Sequence, residues 1–420
     1  MRVRRFHWPL LPVLVGAVGC GTSNATGAAD SGPDSTSDAA DSGSHPPDAA
    51  TDGHTDSGGS GGIEAAVDSG ATDARDAAVE TGPTITAPCD IYASGGTPCV
   101  AAHSTVRALY AAFNGNLYQV QRASDMATKD IGVLSPGGFA DTSTQDSFCA
   151  GTTCTVPIIY DQSPQGNHLP VSGVAHWLPE GGVPASASAQ MTTVGGHKVY
   201  GIQVNGSFAA GDHVAYRNNN TKGVATGDES ESMYMVLDGT RYSEWCCFDY
   251  GNAETNAMDD GNATMEAIYW GNSTQWASGG GAGPWVAADL ENGMYEGDSC
   301  NTGGSSCSTP SNTSVTFSYV TAMVKGPSAA ECTSSVGGSG CFTLKAGNAQ
   351  SGTLNVQWDG ARPPGYSPQK KQGAIILGTG GDGSAAGTGT FFEGCMTTGN
   401  PSDAIDDAVQ ANIVAAGYGH

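Results

Sequence analysis

The sequence predicts an all-β protein, a β-sandwich with one or two short helices, preceded by a disordered N-terminal tether. Glycine supplies 62 of the 420 residues and only 14% of the residues are charged, a composition that disfavours helices. Apolar residues alternate with polar ones in short runs bounded by Gly, Asn or Asp, which is typical of strands joined by turns. The clearest runs are 233–237, 267–270, 315–320 and 374–377.

Two segments depart from this alternation and predict helices. In the first, His103 to Phe113, apolar residues recur three and four positions apart. In the second, Ser402 to Ala416, they recur every four positions behind Ser402, a residue type that caps helices.

Residues 1–20 have the composition of an export signal. Three arginines precede an apolar stretch that is too short to span a membrane and that ends in small residues and Cys20. This ending resembles a bacterial lipoprotein cleavage box, which would place a lipid anchor on Cys20. Cleavage nearby as an ordinary signal peptide is the alternative. In either case we expect an exported protein, lipid-anchored at a bacterial cell surface or secreted.

Residues 21–86 consist mostly of Ala, Asp, Ser, Gly and Thr and contain no aromatic residue. Such a segment cannot bury enough apolar surface to offset its chain entropy, so we expect a disordered linker. Residues 87–420 are then the folded part, which we expect to be a monomer.

The net charge is −25, from 41 acidic and 16 basic residues. Nucleic acid binding needs a basic surface, so no nucleic acid partner is expected. Twelve cysteines fit an exported protein. No CxxC spacing occurs, and no His lies at a zinc-ligand spacing from a Cys pair, so we expect no metal and no cofactor. The simplest disulfides are local, although the sequence leaves the connectivity open: Cys89–Cys99, Cys149–Cys154, Cys300–Cys307 and Cys332–Cys341.

Two carboxylates stand two residues apart in segment 283–292, which reads as a strand. Alternation places Asp289 and Glu291 on one face with Trp285, about 6.6 Å apart along the strand. Like charges this close raise each other's pKa. Paired acids beside an aromatic residue suit a sugar cleft, and a solvated strand face is the alternative.

A glycine turn after the run at 374–377 presents Asp382. Gly378, Gly380 and Gly383 form a literal GxGxxG. No helix follows and Asp382 would repel phosphates, so a dinucleotide site is rejected. What remains is an acid on a turn that a substrate can approach closely, with an ordinary turn aspartate as the alternative.

Cys246 and Cys247 are adjacent. Consecutive Cα atoms are about 3.8 Å apart across a trans peptide, less than disulfides usually span. The residues alone therefore favour pairing of each with another cysteine, for example Cys395.

Five longer motifs add a resemblance to a known family. They are Cys-Asp-Ile-Tyr at 89–92, Thr-Pro-Cys-Val-Ala-Ala-His-Ser-Thr at 97–105, Ile-Ile-Tyr-Asp-Gln-Ser at 158–163, Tyr-Arg-Asn-Asn at 216–219 and Cys-Cys-Phe-Asp-Tyr-Gly-Asn-Ala-Glu at 246–254. Together they resemble glycoside hydrolase family 54, the catalytic domain of α-L-arabinofuranosidase B. The resemblance implies a concanavalin-like (jelly-roll) β-sandwich. It also implies a retaining, exo-acting arabinofuranosidase that removes terminal side chains from arabinan and arabinoxylan.

The resemblance also implies site residues. It makes Glu291 the ionised nucleophile, Asp382 the protonated acid/base, and Cys246–Cys247 a disulfide that forms an apolar platform under the sugar. Retention of configuration predicts the two catalytic carboxyl groups about 5–5.5 Å apart. Further sugar contacts fall on Trp276, Asp289, Asn292 and Gly381, and Cys89–Cys99 and Cys149–Cys154 match two family disulfides.

Some features depart from the family pattern. The chain stops at His420, so the family's C-terminal β-trefoil is expected to be missing and affinity for polymer to be weaker. Residues 299–342 look expanded, and their four cysteines are expected to brace an extra loop near the cleft. Cys395 is expected to be a buried thiol. A non-catalytic, lectin-like surface lipoprotein is the alternative function; it would bind arabinan without releasing arabinose.

Overall fold

The structure is a computed structural model that describes residues 86–206, 211–298, 307–332 and 341–420. The expected signal peptide, Cys20, Cys300 and all of the expected linker except residue 86 lie outside these ranges. None of the described helices has the length and apolar character needed to cross a bilayer.

Three helices and 21 strands make up the described part of the chain. The helices are α1 (Pro88–Ser94), α2 (Thr142–Phe148) and α3 (Asp403–Ala416). The strands are β1 (Cys99–Ser104), β2 (Asn116–Arg122), β3 (Thr128–Gly132), β4 (Cys154–Ile159), β5 (Leu169–Pro170), β6 (Ala185–Ser186), β7 (Gln190–Val194), β8 (His197–Val204), β9 (Tyr216–Asn218), β10 (Glu231–Asp238), β11 (Asp249–Ala253), β12 (Glu266–Gly271), β13 (Gly279–Gly280), β14 (Trp285–Asp289), β15 (Met294–Tyr295), β16 (Thr309–Thr313), β17 (Tyr319–Gly326), β18 (Cys341–Asn348), β19 (Leu354–Ala361), β20 (Ala374–Leu377) and β21 (Gly389–Thr398).

Two antiparallel sheets form the sandwich. The larger has eight strands in the order β19-β18-β17-β10-β21-β8-β7, with β1 also paired to β21. The smaller has six, in the order β15-β14-β12-β11-β20-β9. Apolar side chains of β10 and β17 pack against those of β12 and β14, so the main core lies between the sheets. A five-stranded sheet, β3-β2-β4-β5 with β6 beside β4, and the parallel pair β13–β16 flank the sandwich.

The six-stranded sheet has one face in the core and one face turned away from it. Ile268 and Val286 belong to the main core. Their chain neighbours Tyr269 and Ala287 point the other way, because side chains alternate along a strand. Asp249 pairs with Tyr269, and Tyr269 with Ala287, so these three residues form a row across the outer face. The candidate site lies on this outer face.

The fold prediction is confirmed, since strands dominate and the helices are short. The runs at 233–237, 267–270 and 374–377 fall within β10, β12 and β20. The run at 315–320 is only partly right, because β17 begins at Tyr319. The helix predicted at the C-terminal end is also confirmed, as α3.

Helix α3 is fixed to the larger sheet by a buried ion cluster. Asp406 is fully buried and accepts hydrogen bonds from Lys325 of β17 and Lys345 of β18, each at 2.7 Å. Asp403, one turn earlier and largely exposed, also contacts Lys345 at 2.6 Å. This end of the chain therefore docks on strands β17 and β18.

The helix predicted over His103–Phe113 is wrong. Strand β1 continues through Ser104, and turns follow it. Ser104 Oγ accepts the backbone N–H groups of Val106 and Arg107, at 3.1 and 3.0 Å. Side-chain acceptors of this kind compete with helical hydrogen bonds, so the apolar spacing here reflects burial alone.

Four of the expected disulfides are present in the structure: Cys89–Cys99, Cys149–Cys154, Cys246–Cys247 and Cys332–Cys341. The adjacent cysteines bond to each other, so pairing of each elsewhere, the outcome that the residues alone favoured, is wrong. Cys307 is disulfide-bonded, and its expected partner Cys300 lies outside the described residues. Cys395 is a buried free thiol.

Candidate active site

One small pocket on the outer face of the six-stranded sheet collects almost all the predicted site residues. The space between its lining residues, which includes open solvent, is about 240 Å³. It is lined by Cys246, Trp276, Asp289, Glu291, Asn292, Gly381 and Asp382, together with neighbouring glycines, Met294 and Ser384. Cys247 lies beneath it, with its Sγ 3.5 Å from Asp289 Oδ2. The structure thus brings together acids that are 91 positions apart along the chain, as the numbers of Glu291 and Asp382 show.

A left-handed turn carries Glu291 into the pocket. Strand β14 ends at Asp289, earlier than the predicted strand, and Leu290 returns to the core. Glu291 and Asn292 then adopt φ angles of 63° and 56°, a region that costs side-chain-bearing residues on the order of 1–3 kcal/mol each. Asp289 Oδ1 accepts the Glu291 N–H at 3.1 Å. The direction of the Glu291 side chain therefore comes from this turn and not from strand alternation.

A second turn presents Asp382. Asp382 Oδ1 accepts hydrogen bonds from the backbone N–H of Ser384 at 3.0 Å and from its hydroxyl at 2.7 Å. The other oxygen, Oδ2, is buried without a partner among the described residues. One carboxyl oxygen is thus held in place while the other stays available for chemistry.

Gly381 is required by space. A side chain there would overlap Glu254 Oε2 and begin 3.0 Å from Glu291 Oε2. The glycine therefore lets the turn that bears Asp382 pass close to Glu291, which explains a glycine at this position without any contact to a sugar.

An apolar floor lies under the acids. Cys247 packs with Tyr269, Trp276, Ala287 and Met294, and Cys246 contacts the same cluster. The sulfurs of both cysteines lie 3.5 and 3.6 Å from the Ser384 hydroxyl. A flat apolar surface with carboxyl groups around it suits a neutral ligand that has one apolar face and several hydroxyls.

Arg217 and Glu254 support the site and were not singled out from the sequence. Arg217 donates to the Gly381 carbonyl at 2.6 Å and to the Glu254 carbonyl. Glu254 is buried and accepts from the Thr264 hydroxyl through Oε1, while Oε2 has no partner in the described part of the chain. Both residues belong to motifs quoted above, 216–219 and 246–254, and that membership was the available signal.

Trp177 lies beside the second turn and was also missed. Its backbone N–H donates to the Asp382 carbonyl at 3.0 Å, and its side chain is 39% exposed. Asn292, by contrast, is engaged within the protein, since its amide donates to Asp259 Oδ1 at 3.0 Å.

The electrostatics favour protonated carboxyls. Burial, followed by the negative charges of Glu254, Asp289 and Asp382, raises the pKa of Glu291 to about 12. Burial also raises the pKa of Asp289 and of Glu254 to about 7 each. The ionised form expected for Glu291 is therefore disfavoured, because several acids share a small space with few cations.

The described residues offer two groups of three potential metal ligands close together, Cys246–Cys247–Asp289 and Cys89–Cys99–Cys395. In each group two of the sulfurs form a disulfide. Disulfide sulfurs are not the thiolates that bind metals, so neither group is a good metal site.

Comparison with known proteins places the chain in a family. Residues 88–419 match the family model described as the catalytic part of α-L-arabinofuranosidase B. The chain belongs to this family. A probable α-L-arabinofuranosidase B of Aspergillus terreus is 50% identical over 343 residues, which is 79% of this chain and 62% of that protein. An arabinofuranosidase/β-xylosidase of Trichoderma koningii is also 50% identical over 343 residues, covering 79% and 63%.

Solved structures of the family agree with the fold. A GH54 α-L-arabinofuranosidase soaked with a cyclic sulfate inhibitor matches with a TM-score of 0.73 and 48% identity, over 79% of this chain and 66% of that one. An arabinofuranosidase complexed with arabinofuranosyl-α-1,2-xylobiose matches with a TM-score of 0.72 and 47% identity, with the same coverage. The chain thus spans slightly less than two thirds of the length of these relatives.

Proposed function

We propose that this protein is a retaining, exo-acting α-L-arabinofuranosidase, with Glu291 as nucleophile and Asp382 as general acid and base. The observation that carries the proposal is that these two carboxyls, from separate turns, line one small pocket above the Cys246–Cys247 disulfide. Family membership supplies the reaction class.

The form of the pocket supports removal of single terminal residues. Glu291 and Asp382 line it from two separate turns, and the Cys246–Cys247 disulfide lies at its floor. An internal stretch of polysaccharide needs an open groove, so we assign exo action.

The proposed reaction has two steps. In the first, the Asp382 proton passes to the glycosidic oxygen while the Glu291 carboxylate attacks the anomeric carbon, which gives a glycosyl ester and releases the shortened polymer. In the second, the Asp382 carboxylate takes a proton from water, and the water oxygen attacks the same carbon and frees Glu291. The carboxyl separation of about 5–5.5 Å stays a prediction of this scheme.

The protonation pattern requires a shared proton. The raised pKa of Glu291 means that this side chain keeps a proton before substrate binds. The reactive form of this pair of acids holds the same number of protons, but Glu291 is ionised and the proton is on Asp382. The charge of Asp382 acts on Glu291, so substrate binding needs to move the proton from Glu291 to Asp382 and not to remove it.

Arabinan and arabinoxylan side chains are the proposed substrates. One relative is named an arabinofuranosidase/β-xylosidase, and another was solved with arabinofuranosyl-α-1,2-xylobiose. These names favour arabinose linked to a xylan backbone as one substrate of this chain. The lectin-like alternative has no support among the comparisons.

Four disulfides among the described residues indicate an exported protein, because such bonds are rare in the cytosol. We propose anchoring through a lipid on Cys20 as the way the enzyme is kept at the cell surface. Mass spectrometry of the mature N-terminus tests this, and a mature protein that begins elsewhere without lipid contradicts it.

The decisive test uses 4-nitrophenyl α-L-arabinofuranoside, with the first-formed sugar anomer followed by NMR. We expect the α-anomer of arabinose, and we expect Glu291→Gln and Asp382→Asn to lose turnover while keeping their thermal stability. Glu296→Gln is the matched control, because Glu296 is also buried but does not line the pocket. Wild-type protein that binds arabinan without releasing arabinose would instead be a lectin, and near-normal activity of either site variant would refute the assigned roles.

A further inference from the structure

We infer that Asp249 is a neutral carboxylic acid that donates its proton in a hydrogen bond to Asp289, and is thereby a positioning residue for the pocket. The protonation state stands on the structure alone. The consequence for catalysis rests on the proposed function.

The strand register places the two acids on one face of the six-stranded sheet. Asp249 begins β11 and Asp289 ends β14, and both strands pair with β12. Asp249 lies opposite Tyr269, and Asp289 lies opposite Ala267, two residues earlier on β12. Both acids therefore lie on the same outer face, on the two strands that flank β12, and their carboxyl groups interact electrostatically.

Asp249 has no other way to satisfy its carboxyl group. The residue is fully buried, and neither carboxyl oxygen accepts from an N–H or O–H donor of the described residues. The groups that face it are Asp289, Asp382 and the phenol of Tyr269, none of them a cation. A buried carboxylate without donors or cations costs several kcal/mol and takes up a proton instead.

Two carboxyl groups can share a hydrogen bond only when one of them is protonated. Asp289 already accepts the N–H of Glu291, which favours its charged form. Asp249 has no such donor, so the proton belongs on Asp249. Burial, and then the negative charge of Asp289, raises the pKa of Asp249 well above its usual value, in agreement with this arrangement.

The consequence is a fixed acceptor in the pocket. Asp289 is held by Asp249, by the Glu291 backbone and against Cys247 Sγ. A carboxylate held in this way accepts hydrogen bonds from sugar hydroxyls without reorienting, and its link to the Glu291 backbone also fixes the turn that bears the nucleophile. Asp249 then influences the sugar-binding geometry without touching the sugar.

The test compares Asp249→Asn, which keeps a neutral donor, with Asp249→Leu, which keeps the shape and lacks a donor. Infrared difference spectroscopy of wild type minus Asp249→Asn at neutral pH should show the carbonyl band of a protonated carboxylic acid. With 4-nitrophenyl α-L-arabinofuranoside, Asp249→Leu should lose about tenfold to a hundredfold in kcat/KM, the range for a hydrogen bond to a charged group. The loss should fall mainly on KM, and Asp249→Asn should recover most of it.

Two results would overturn the inference: absence of the carboxylic acid band from the difference spectrum, or equal damage by Asn and Leu in folded protein. The infrared measurement needs no activity. If the wild type cleaves no arabinofuranoside, the proposed function fails while the protonation of Asp249 is still decided.

Discussion

Glu254 offers a direct test of how the pocket controls the protonation of Glu291. Its Oε2 is buried, has no partner among the described residues, and lies on the same side of Gly381 as Glu291 Oε2. After burial, its charge is the largest influence that raises the pKa of Glu291. The perturbation is Glu254→Gln, which removes the charge but keeps an oxygen to accept the Thr264 hydroxyl.

The expected size of the effect follows from the separation of the two side chains. A Cβ added to Gly381 would lie 2.0 Å from Glu254 Oε2 and 3.0 Å from Glu291 Oε2, so these two oxygens are no more than about 5 Å apart. At about 5 Å and an effective dielectric constant near 20, two unit charges repel by about 3 kcal/mol, which corresponds to a pKa change of about two. Removing the charge of Glu254 therefore lowers the pKa of Glu291 by about two.

The assay is kcat/KM against pH with 4-nitrophenyl α-L-arabinofuranoside. In the proposed reaction the pair must keep one proton, so activity falls at high pH when Glu291 of the free enzyme loses that proton, and a lower pKa of Glu291 shifts this falling limb to lower pH. We expect this shift in Glu254→Gln and none in Glu296→Gln, a control whose pKa is also raised by burial, to about 8. An unchanged limb, or a shift to higher pH, would refute the electrostatic coupling.

Two further predictions concern stability and the pocket floor. Asp406→Asn leaves two lysines buried without their partner and should lower the free energy of unfolding by about 3–5 kcal/mol. Asp403→Asn, at a position whose side chain is 80% exposed, should lower it by about 1 kcal/mol or less. Equal losses of the two variants in denaturant titrations would contradict this account of how α3 docks. Cys246→Ala should raise KM for the aryl arabinofuranoside by about tenfold through loss of apolar contact, and Cys332→Ala, which breaks a disulfide outside the pocket lining, should leave KM unchanged. Similar KM values for these two variants would remove the platform role.

The sandwich could be predicted from the sequence because the alternation of apolar and polar residues in a strand is a local pattern of neighbouring residues. The runs in β10, β12 and β20 each combine short length, apolar alternation and turn residues at both ends. Helices α1 and α2 left no such pattern, since each has seven residues, about two turns, and α2 depends on the Asp141 cap. The segment after Ser104 was wrongly predicted to be a helix. Its apolar residues have helical spacing because they are buried, but side chains, and not helical carbonyls, accept its backbone N–H groups.

The acids of the site were visible in the sequence, but their arrangement was not. Asp289 and Asp382 stood out as acids on a strand and on a glycine turn. Glu291 was expected on the same strand face as Asp289, whereas a left-handed turn directs it. Arg217, Glu254 and Asp249 were marked only by their place in the motifs at 216–219 and 246–254, because their roles depend on contacts between strands that the folded sheet brings together.

The alternation of the six-stranded sheet limits how this pocket can change. Inserting or deleting one residue within β11 would exchange its two faces, so that Tyr250 would point outward and Asp249 would enter the apolar interior. Any such change would abolish the pocket and, at the same time, disrupt the packing of the core. If the proposed function is right, variation in sugar preference has to arise in the turns after β14 and β20, where chain length can vary without reversing a strand.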